Sequence, residues 1–325
     1  MEVCKDGETV TVNSATVTAA DLTAGNGVVH VIDGLVIPPV ELPEVDPAAA
    51  EGEIVTAGSS TVGPLSVAIA SQWEEEGATT VPTIDIIGSG AGFERFCVNA
   101  ETDISNASRP IKDSEVESCQ ENGRNPIEFR VGTDAVAVTV SNDFVTDLSL
   151  EQLAQIFSGE VTNWNEVDSS YPDLPITLYI PGTDSGTFDF FVEVVLEEDE
   201  EAALAGNPQM SENDDVLVEG IAGDEGAIGY FGYAYYQQNQ DILNIISIDG
   251  ITANASTVDA FTYPLARPLF IYSDANIMAE KPQVAAFINY YLTNVNDVIG
   301  EVGYFPASAD ALNLARLKWQ IATAQ

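Results

Sequence analysis

The segment from Tyr179 to Phe188 carries the residue types of an oxyanion site. It reads Tyr-Ile-Pro-Gly-Thr-Asp-Ser-Gly-Thr-Phe, which predicts a strand over residues 176–180, a glycine-bearing turn, and a helix that begins near Ser185. Hydroxyls and backbone N–H groups in such a turn point toward one position, and the positive end of the helix dipole lies behind them. The segment therefore predicts a phosphate-like anion site, although the same residues also make an ordinary helix N-cap.

Two upstream loops and one strand end also carry residue types that suit an oxyanion site. Gly58-Ser-Ser-Thr61 follows one strand, and Gly88-Ser-Gly90 lies between another strand and a helix expected to start at Phe93. A short strand from Asp103 ends in Ser108 and Arg109, whose guanidinium suits phosphate or carboxylate. Open α/β sheets bind ligands at the carboxyl ends of their strands, so these loops predict one shared crevice.

Residues 53–325 resemble the phosphate-binding receptors of high-affinity phosphate ABC importers. The resemblance implies an α/β fold of the two-lobed periplasmic-binding-protein type II (Venus flytrap) kind, in which a hinge closes the lobes around the ligand. It implies that lobe one takes residues 53–135 plus 231–325 and that lobe two takes residues 136–230. The motifs that carry the resemblance occur in order along the chain: Gly58-Ser-Ser-Thr61, Gly88-Ser-Gly90, Asp103 to Arg109, Ile156-Phe-Ser-Gly-Glu-Val-Thr-Asn-Trp164, Asp184-Ser-Gly-Thr187, Gly226-Ala-Ile-Gly-Tyr-Phe-Gly-Tyr233 and Tyr263-Pro-Leu-Ala-Arg-Pro268.

The same resemblance implies a set of phosphate ligands and two departures from the best-known branch of these receptors. That branch has an aspartate, which accepts a hydrogen from protonated phosphate, where this chain has Arg109, and an arginine where it has Pro181. Asp184 is then a candidate substitute acceptor, or only a helix cap. Phosphate is the expected ligand, with sulfate, arsenate and phosphonate as alternatives. The implied ligands are Ser60, Thr61, Ser89, Ser108, Arg109, Ser185, Gly186 and Thr187.

The charge of the chain excludes several kinds of partner. Its 325 residues include 52 acidic and 10 basic ones, for a net charge of −42. Such a surface repels nucleic acid and anionic membranes. It is typical either of adaptation to high salt or of an acidic extracellular protein in ordinary conditions. It also repels phosphate, so we expect the site to be a local positive island. Arg95 and Lys112 either contribute to it or are solvated surface charges.

Histidine and cysteine usage bears on metals, catalysis and compartment. The sequence has one histidine, His30, which argues against zinc and against a Ser–His catalytic pair, and we expect no cofactor. Cys97 and Cys119 flank the segment that holds Arg109. Because an oxidising location fits a receptor, we expect a disulfide between them, with two free thiols as the alternative. Cys4 is then left over.

Residues 1–40 do not fit the receptor family. The string Asn26-Gly-Val-Val-His-Val-Ile-Asp33 resembles the C-terminal end of a fasciclin-type adhesion domain, in which His30 is structural. Strands are predicted at residues 9–13, 15–19, 28–32 and 35–37, followed by an extended linker at residues 41–52. A small β appendage of this kind packs on the receptor, belongs to a larger fasciclin domain, or self-associates through residues 1–40.

The expected function is a non-enzymatic, extracellular or periplasmic, cell-surface-associated receptor. It would capture inorganic phosphate between its lobes and deliver it to the membrane permease of an ABC importer. The alternative is a surface adhesion or scaffold protein that retains the receptor fold and assembles through the fasciclin-like segment. A phosphatase is disfavoured, because the sequence offers neither a metal cluster nor a histidine base.

Overall fold

The computed structural model of the protein describes residues 3–6, 9–12, 15–34, 36–183 and 185–324. The described strands are β1 Val3–Asp6, β2 Thr9–Val12, β3 Ala15–Ala24, β4 Gly27–Ile32, β5 Val55–Gly58, β6 Thr83–Ile86, β7 Ile104–Ala107, β8 Ile127–Val140, β9 Asp147–Leu148, β10 Thr177–Pro181, β11 Gln209–Ser211, β12 Ala227–Gly232, β13 Asn244–Ile245, β14 Ser247–Ile248 and β15 Ala266–Ser273. The described α-helices are α1 Val62–Glu75, α2 Ser89–Phe93, α3 Asp113–Glu121, α4 Leu150–Phe157, α5 Trp164–Val167, α6 Gly186–Val195, α7 Glu200–Ala205, α8 Asp214–Ala222, α9 Tyr233–Gln238, α10 Ala255–Asp259, α11 Ala275–Glu280, α12 Pro282–Val302 and α13 Ala309–Thr323.

One mixed sheet runs through both lobes. Its strand order is β11-β10-β12-β8-β15-β7-β5-β6, and β13 also pairs with β8. Strands β5, β6 and β7 are parallel to one another, so their carboxyl ends lie at the same edge. The short strands β9 and β14 form a separate parallel pair.

Strand β8 is the connection between the lobes. Its first part, up to Ala135, pairs with β15 in lobe one, and from Val136 onward it pairs with β12 in lobe two. The chain returns to lobe one at the start of β15, because Tyr263 and Leu265 still pack in the core of lobe two. The expected return at residue 231 is therefore too early: β13 also pairs with β8 beside β12, so the segment after β12 stays in lobe two.

Each lobe has its own aromatic core. In lobe one the indole of Trp73 contacts the rings of Phe287 and Tyr290 edge-on, which joins α1 to α12. In lobe two the ring of Phe191 stacks on Tyr230 with ring centroids 3.8 Å apart, which fixes α6 against β12. Both helices turn an apolar face to their core: Leu65, Ile69 and Trp73 are buried on α1, and Phe188 and Phe191 are buried on α6.

The predicted disulfide between Cys97 and Cys119 is confirmed. It joins a π-helical turn, Glu94–Val98, to α3, and both cysteines are buried. These two elements flank β7, so the disulfide fixes the segments on either side of the strand that ends beside Arg109.

The first described residues form a separate antiparallel sheet in the order β1-β2-β3-β4. Strand β1 lies outside the four strands that the sequence predicts, and residues 36–37 are not a strand, while Leu35 lies outside the described residues. His30 accepts a hydrogen bond from the backbone N–H of Asp21 through Nδ1 at 3.2 Å, which is a structural role.

The linker after this sheet lies along lobe one. The N–H of Val40 donates to Oδ1 of Asn313 at 3.1 Å, and Nδ2 of Asn289 donates to the carbonyl of Pro43 at 3.0 Å. Leu42 and Val45 pack on the core of lobe one. Side chains of α12 and α13 hold the linker in place, and Pro47–Ala49 within it form a turn of 3₁₀ helix, so the predicted extended linker is interrupted there. None of the described helices combines the length and the hydropathy needed to cross a membrane.

Candidate functional site

A cavity of about 310 Å³ lies between the carboxyl ends of β5, β6 and β7 on one side and α6 on the other. Lobe one lines it from four places, and lobe two lines it from α6 alone. Its lining consists of Ser59, Ser60, Gly88, Ser89, Ser108, Arg109, Pro110, Arg267, Pro268, Asp189, Phe190 and Glu193. Of the residues predicted from the sequence, Ser60, Ser89, Ser108 and Arg109 are on this lining.

The two serines of the first loop have different roles: Ser59 caps a helix, and Ser60 faces the cavity. Oγ of Ser59 accepts hydrogen bonds from the N–H groups of Thr61 and Val62 at 3.2 and 3.3 Å, so Ser59 caps the start of α1. Ser60 is left facing the cavity. Thr61 is 4% exposed and lies off the lining, and its carbonyl accepts from the Tyr304 hydroxyl at 2.8 Å.

The second loop and the third strand end are bonded to each other. The N–H of Ser108 donates to Oγ of Ser89 at 3.2 Å, and the two hydroxyl oxygens are 3.3 Å apart. Gly88 has a φ of +86°, a left-handed conformation that favours glycine and turns the chain into α2. The helix therefore begins at Ser89, four residues before the predicted start at Phe93.

Arg109 is held by a carboxylate at the edge of the cavity. Its two terminal nitrogens donate to the two carboxylate oxygens of Glu115 at 2.9 and 2.7 Å, and one of them also donates to the Pro110 carbonyl at 3.1 Å. Hydrogen bonding to Glu115 raises the pKa of Arg109. Burial acts to raise the pKa of Glu115, but its bonds with Arg109 and with the Lys112 backbone lower it overall. Of five guanidinium N–H groups, about two remain for a ligand.

The turn before α6 approaches the first loop closely. A Cβ added to Gly186 would lie 3.0 Å from Oγ1 of Thr61, so the starts of α6 and α1 approach closely here. Oγ of Ser185 accepts from the N–H of Thr187 at 3.2 Å and caps α6. Ser185, Gly186 and Thr187 lie off the cavity lining, and Asp184 lies outside the described residues.

Sequence reasoning missed Arg267, the second guanidinium of the cavity. Its side chain is 8% exposed, and Nε donates at 3.0 Å to Asp134, whose side chain is 1% exposed. A terminal nitrogen donates to the Gly186 carbonyl at 2.7 Å, and the guanidinium lies 4.2 Å from the ring centroid of Phe190. Arg267 therefore ties β15 and β8 of lobe one to α6 of lobe two. Arg267 stands in the motif Tyr263-Pro-Leu-Ala-Arg-Pro268, but nothing in that motif marks it as a cavity residue.

The charges that line the cavity are balanced rather than purely positive. Arg109 and Arg267 face two carboxylates on α6, those of Asp189 and Glu193. Arg95 does not line the cavity; it pairs with Asp85 at 2.6 Å and with Glu101 at 3.3 Å. Lys112 is also absent from the lining. The expectation of a local positive island was therefore wrong, because the structure places acidic side chains in the site itself.

This arrangement suits a small oxyanion. Hydroxyls and guanidinium N–H groups of lobe one converge on one space, which α6 of lobe two bounds on the other side. Fixed donors of this kind can replace the water around an anion. Among the described residues, no group of three or more histidine, cysteine, aspartate or glutamate side chains is arranged to hold a metal ion.

Family models match two parts of the chain. The model of the PBP superfamily domain matches residues 44–295, and that of the fasciclin domain matches residues 1–38. Among curated proteins, SphX of Synechococcus elongatus is 40% identical over 85% of this chain and 84% of its own length. The phosphate-binding protein PstS of Staphylococcus saprophyticus is 34% identical over 80% of this chain and 82% of its own length.

Solved structures with the same fold cover the receptor part. A possible phosphate-binding protein from Planctomyces limnophilus aligns with a TM-score of 0.79 at 32% identity, over 85% of this chain and 100% of the other. A putative phosphate ABC transporter substrate-binding protein from Clostridium perfringens, with bound phosphate, aligns with a TM-score of 0.56 at 26% identity, over 79% and 100%. The predicted two-lobed α/β fold is thus confirmed. The chain belongs to the PBP superfamily, within the family that contains SphX and PstS.

Proposed function

We propose that the chain is a non-catalytic receptor that captures inorganic phosphate in the cavity between its lobes and delivers it to the membrane permease of an ABC importer. The observation that carries the proposal is the convergence of the Ser60, Ser89 and Ser108 side chains with the guanidinium groups of Arg109 and Arg267 on one inter-lobe cavity. The phosphate-binding names of the relatives agree with it. The proposed location is extracellular or periplasmic, in association with the cell surface.

The proposed phosphate ligands combine two groups of residues. Ser60, Ser89, Ser108 and Arg109 line the cavity already, and Arg267 joins them from β15. Closure of the lobes would bring the turn before α6 toward the same space, since Gly186 already lies against Thr61. The full proposed set is Ser60, Thr61, Ser89, Ser108, Arg109, Ser185, Gly186, Thr187 and Arg267.

Calorimetric titration with phosphate tests the proposal. We expect saturable binding of one phosphate per chain, measured at low and at high salt because the net charge of −42 opposes anion binding most strongly at low salt. Arg109→Gln removes the half-buried guanidinium of the cavity and should weaken binding by about 1.5–3 kcal/mol, the usual contribution of a hydrogen bond to a charged group. Absence of phosphate binding in the unmodified protein would refute the function.

Arg95→Gln is the matched control for that variant. It removes the same charge from the same lobe, but Arg95 points at Asp85 and Glu101 instead of the cavity. We expect its phosphate affinity to stay close to that of the unmodified protein. Equal losses in the two variants would mean that Arg109 acts only through the overall charge.

A second candidate, an adhesion or scaffold role, is favoured by one observation on the N-terminal sheet. Leu22 pairs with Val29 across β3 and β4, and Val31 shares that face; all three are more than 40% exposed. Exposed apolar faces of small sheets pair with other chains. If this face mediates assembly, Val31→Lys should convert a concentration-dependent oligomer to a monomer in light scattering. Val28→Lys, on the opposite face, should not.

A further inference from the structure

The sequence contains the triplet Asn-Ala-Ser twice, beginning at Asn106 and at Asn254. Asparagine, then any residue except proline, then serine or threonine is the acceptor pattern for N-linked glycans, and no other asparagine of the sequence fits it. A glycan is bulky and hydrophilic, so in a folded protein only an asparagine at the surface can carry one. Because the two triplets are identical, the fold decides between them.

The first triplet lies inside the receptor. Asn106 is on β7 and is 1% exposed; its Oδ1 accepts from the Ser66 hydroxyl at 3.2 Å, and its Nδ2 is buried. The serine of the triplet, Ser108, lines the anion cavity, and its hydroxyl oxygen lies 3.3 Å from that of Ser89. A sugar on Asn106 would have to displace packed protein atoms, so the folded chain excludes this triplet as an acceptor.

The second triplet lies at the surface, where α10 begins. Asn254, Ala255 and Ser256 are all exposed, and none of them lines the anion cavity. Asn254 caps the helix, because its Oδ1 accepts from the N–H groups of Ser256 and Thr257 at 3.0 and 3.1 Å. The cap fixes the direction of the side chain and still leaves it in contact with solvent.

The amide of Asn254 can carry a sugar and keep the hydrogen bonds of the cap. An asparagine amide has one acceptor oxygen and two N–H groups. The cap uses only Oδ1, and Nδ2 donates once, to the Thr252 carbonyl at 3.2 Å. Substitution at Nδ2 replaces one hydrogen and retains both Oδ1 and the second N–H. Modification is therefore compatible with the folded conformation of this segment.

We propose that Asn254 is an N-glycosylation site, which takes an oligosaccharide from a lipid-linked donor. In the transfer, Nδ2 forms a bond to the anomeric carbon of the first sugar and loses a proton, and the lipid phosphate or pyrophosphate of the donor leaves. The inference goes beyond phosphate binding and rests on the proposed location outside the cell, because the acceptor pattern applies to secreted proteins. The glycan would lie on α10 of lobe two, off the lining of the anion cavity.

Mass spectrometry of peptides tests the proposal on the full chain, secreted from a cell that N-glycosylates its exported proteins. Cleavage before each aspartate releases the two triplets on separate peptides, residues 249–258 and residues 103–112. The peptide of residues 249–258 should carry the additional mass of a glycan. The peptide of residues 103–112 is the internal control and should have the mass of its amino acids alone.

Two substitutions of Ser256 separate glycosylation from other additions of mass. Ser256→Ala removes the hydroxyl that the acceptor pattern requires but keeps the Asn254 cap, so it should abolish the modification. Ser256→Thr keeps a hydroxyl and should retain it. The proposal is overturned if residues 249–258 carry no glycan, if Ser256→Ala leaves it in place, or if residues 103–112 carry one. These masses do not depend on phosphate binding, which calorimetry tests separately, so the two proposals fail independently.

Discussion

Replacing Arg267 by methionine should destabilise the fold by about 3–5 kcal/mol, because it leaves the buried carboxylate of Asp134 without its ion-pair partner. Asp134 is 1% exposed at its side chain and receives Nε of Arg267 at 3.0 Å. Removing one partner of a buried ion pair leaves an uncompensated charge with that typical cost. The variant also removes the donor to the Gly186 carbonyl, so the contact between β15 and α6 is lost as well.

Urea denaturation is the suitable assay, since guanidinium chloride is a salt and would screen a chain with a net charge of −42. Lys318→Met is the control. It breaks an ion pair with Glu128 in which both side chains are about a third exposed, 33% and 34%, and should cost less than about 1 kcal/mol.

The double variant Asp134→Asn with Arg267→Met tests whether the unpaired carboxylate of Asp134 causes the loss of stability. A neutral amide costs less to bury without a partner than a carboxylate does. The double variant should therefore be more stable than Arg267→Met alone, by about 1 kcal/mol or more. Equal midpoints for Arg267→Met and Lys318→Met, or no recovery in the double variant, would refute this account of the buried pair.

Three further predictions follow from other contacts. Glu115→Gln should reduce the loss of stability that occurs as the pH falls into the acid range. The pKa of Glu115 is lowered in the folded state, so its carboxylate stabilises the fold above its ordinary pKa of 4.5, and this stabilisation is lost as the pH falls. Urea midpoints at several pH values measure this, and parallel curves would contradict it. Cys119→Ser should lower the free energy of unfolding by about 3 kcal/mol, the loop-closure value for a disulfide between residues 22 positions apart. The unmodified protein, with this disulfide reduced, should show the same loss of stability in the same urea assay. Gly186→Ala should weaken phosphate binding by about 1–3 kcal/mol, because the new methyl group would lie 3.0 Å from Oγ1 of Thr61. Gly232→Ala, with open space around the added carbon, is its calorimetric control, and equal affinities in the two variants would show that the close approach has no effect.

The strand-to-helix loops were predictable because their signals are local. Each combines a short apolar run, a glycine turn and serine or threonine residues. The individual ligands Ser60, Ser89, Ser108 and Arg109 were implied by the resemblance to phosphate-binding receptors, and the structure places all four on the cavity lining. The helix starts were less accurate: α2 begins at Ser89, because Gly88 makes the turn in one residue.

The residues that sequence reasoning missed depend on contacts between distant parts of the chain. Arg267 enters the cavity because β15 pairs with β8 and brings Asp134 beside it, which no local pattern reveals. Asp189 and Glu193 line the cavity because α6 of lobe two lies against the strand ends of lobe one, which is also a contact between distant segments. The return to lobe one was placed too early for the same reason, since the pairing of β13 with β8 is non-local.

The 14-residue strand β8 has a consequence for how the molecule unfolds. Its residues from Val131 to Val140 are all buried, and its one backbone ladder serves both lobes. Opening either lobe far enough to free its half of β8 exposes the pairing edge of the other half, so the two lobes should lose their structure as one cooperative unit. Amide protons in the middle of β8 should accordingly be among the slowest to exchange with solvent, and only complete unfolding should release them.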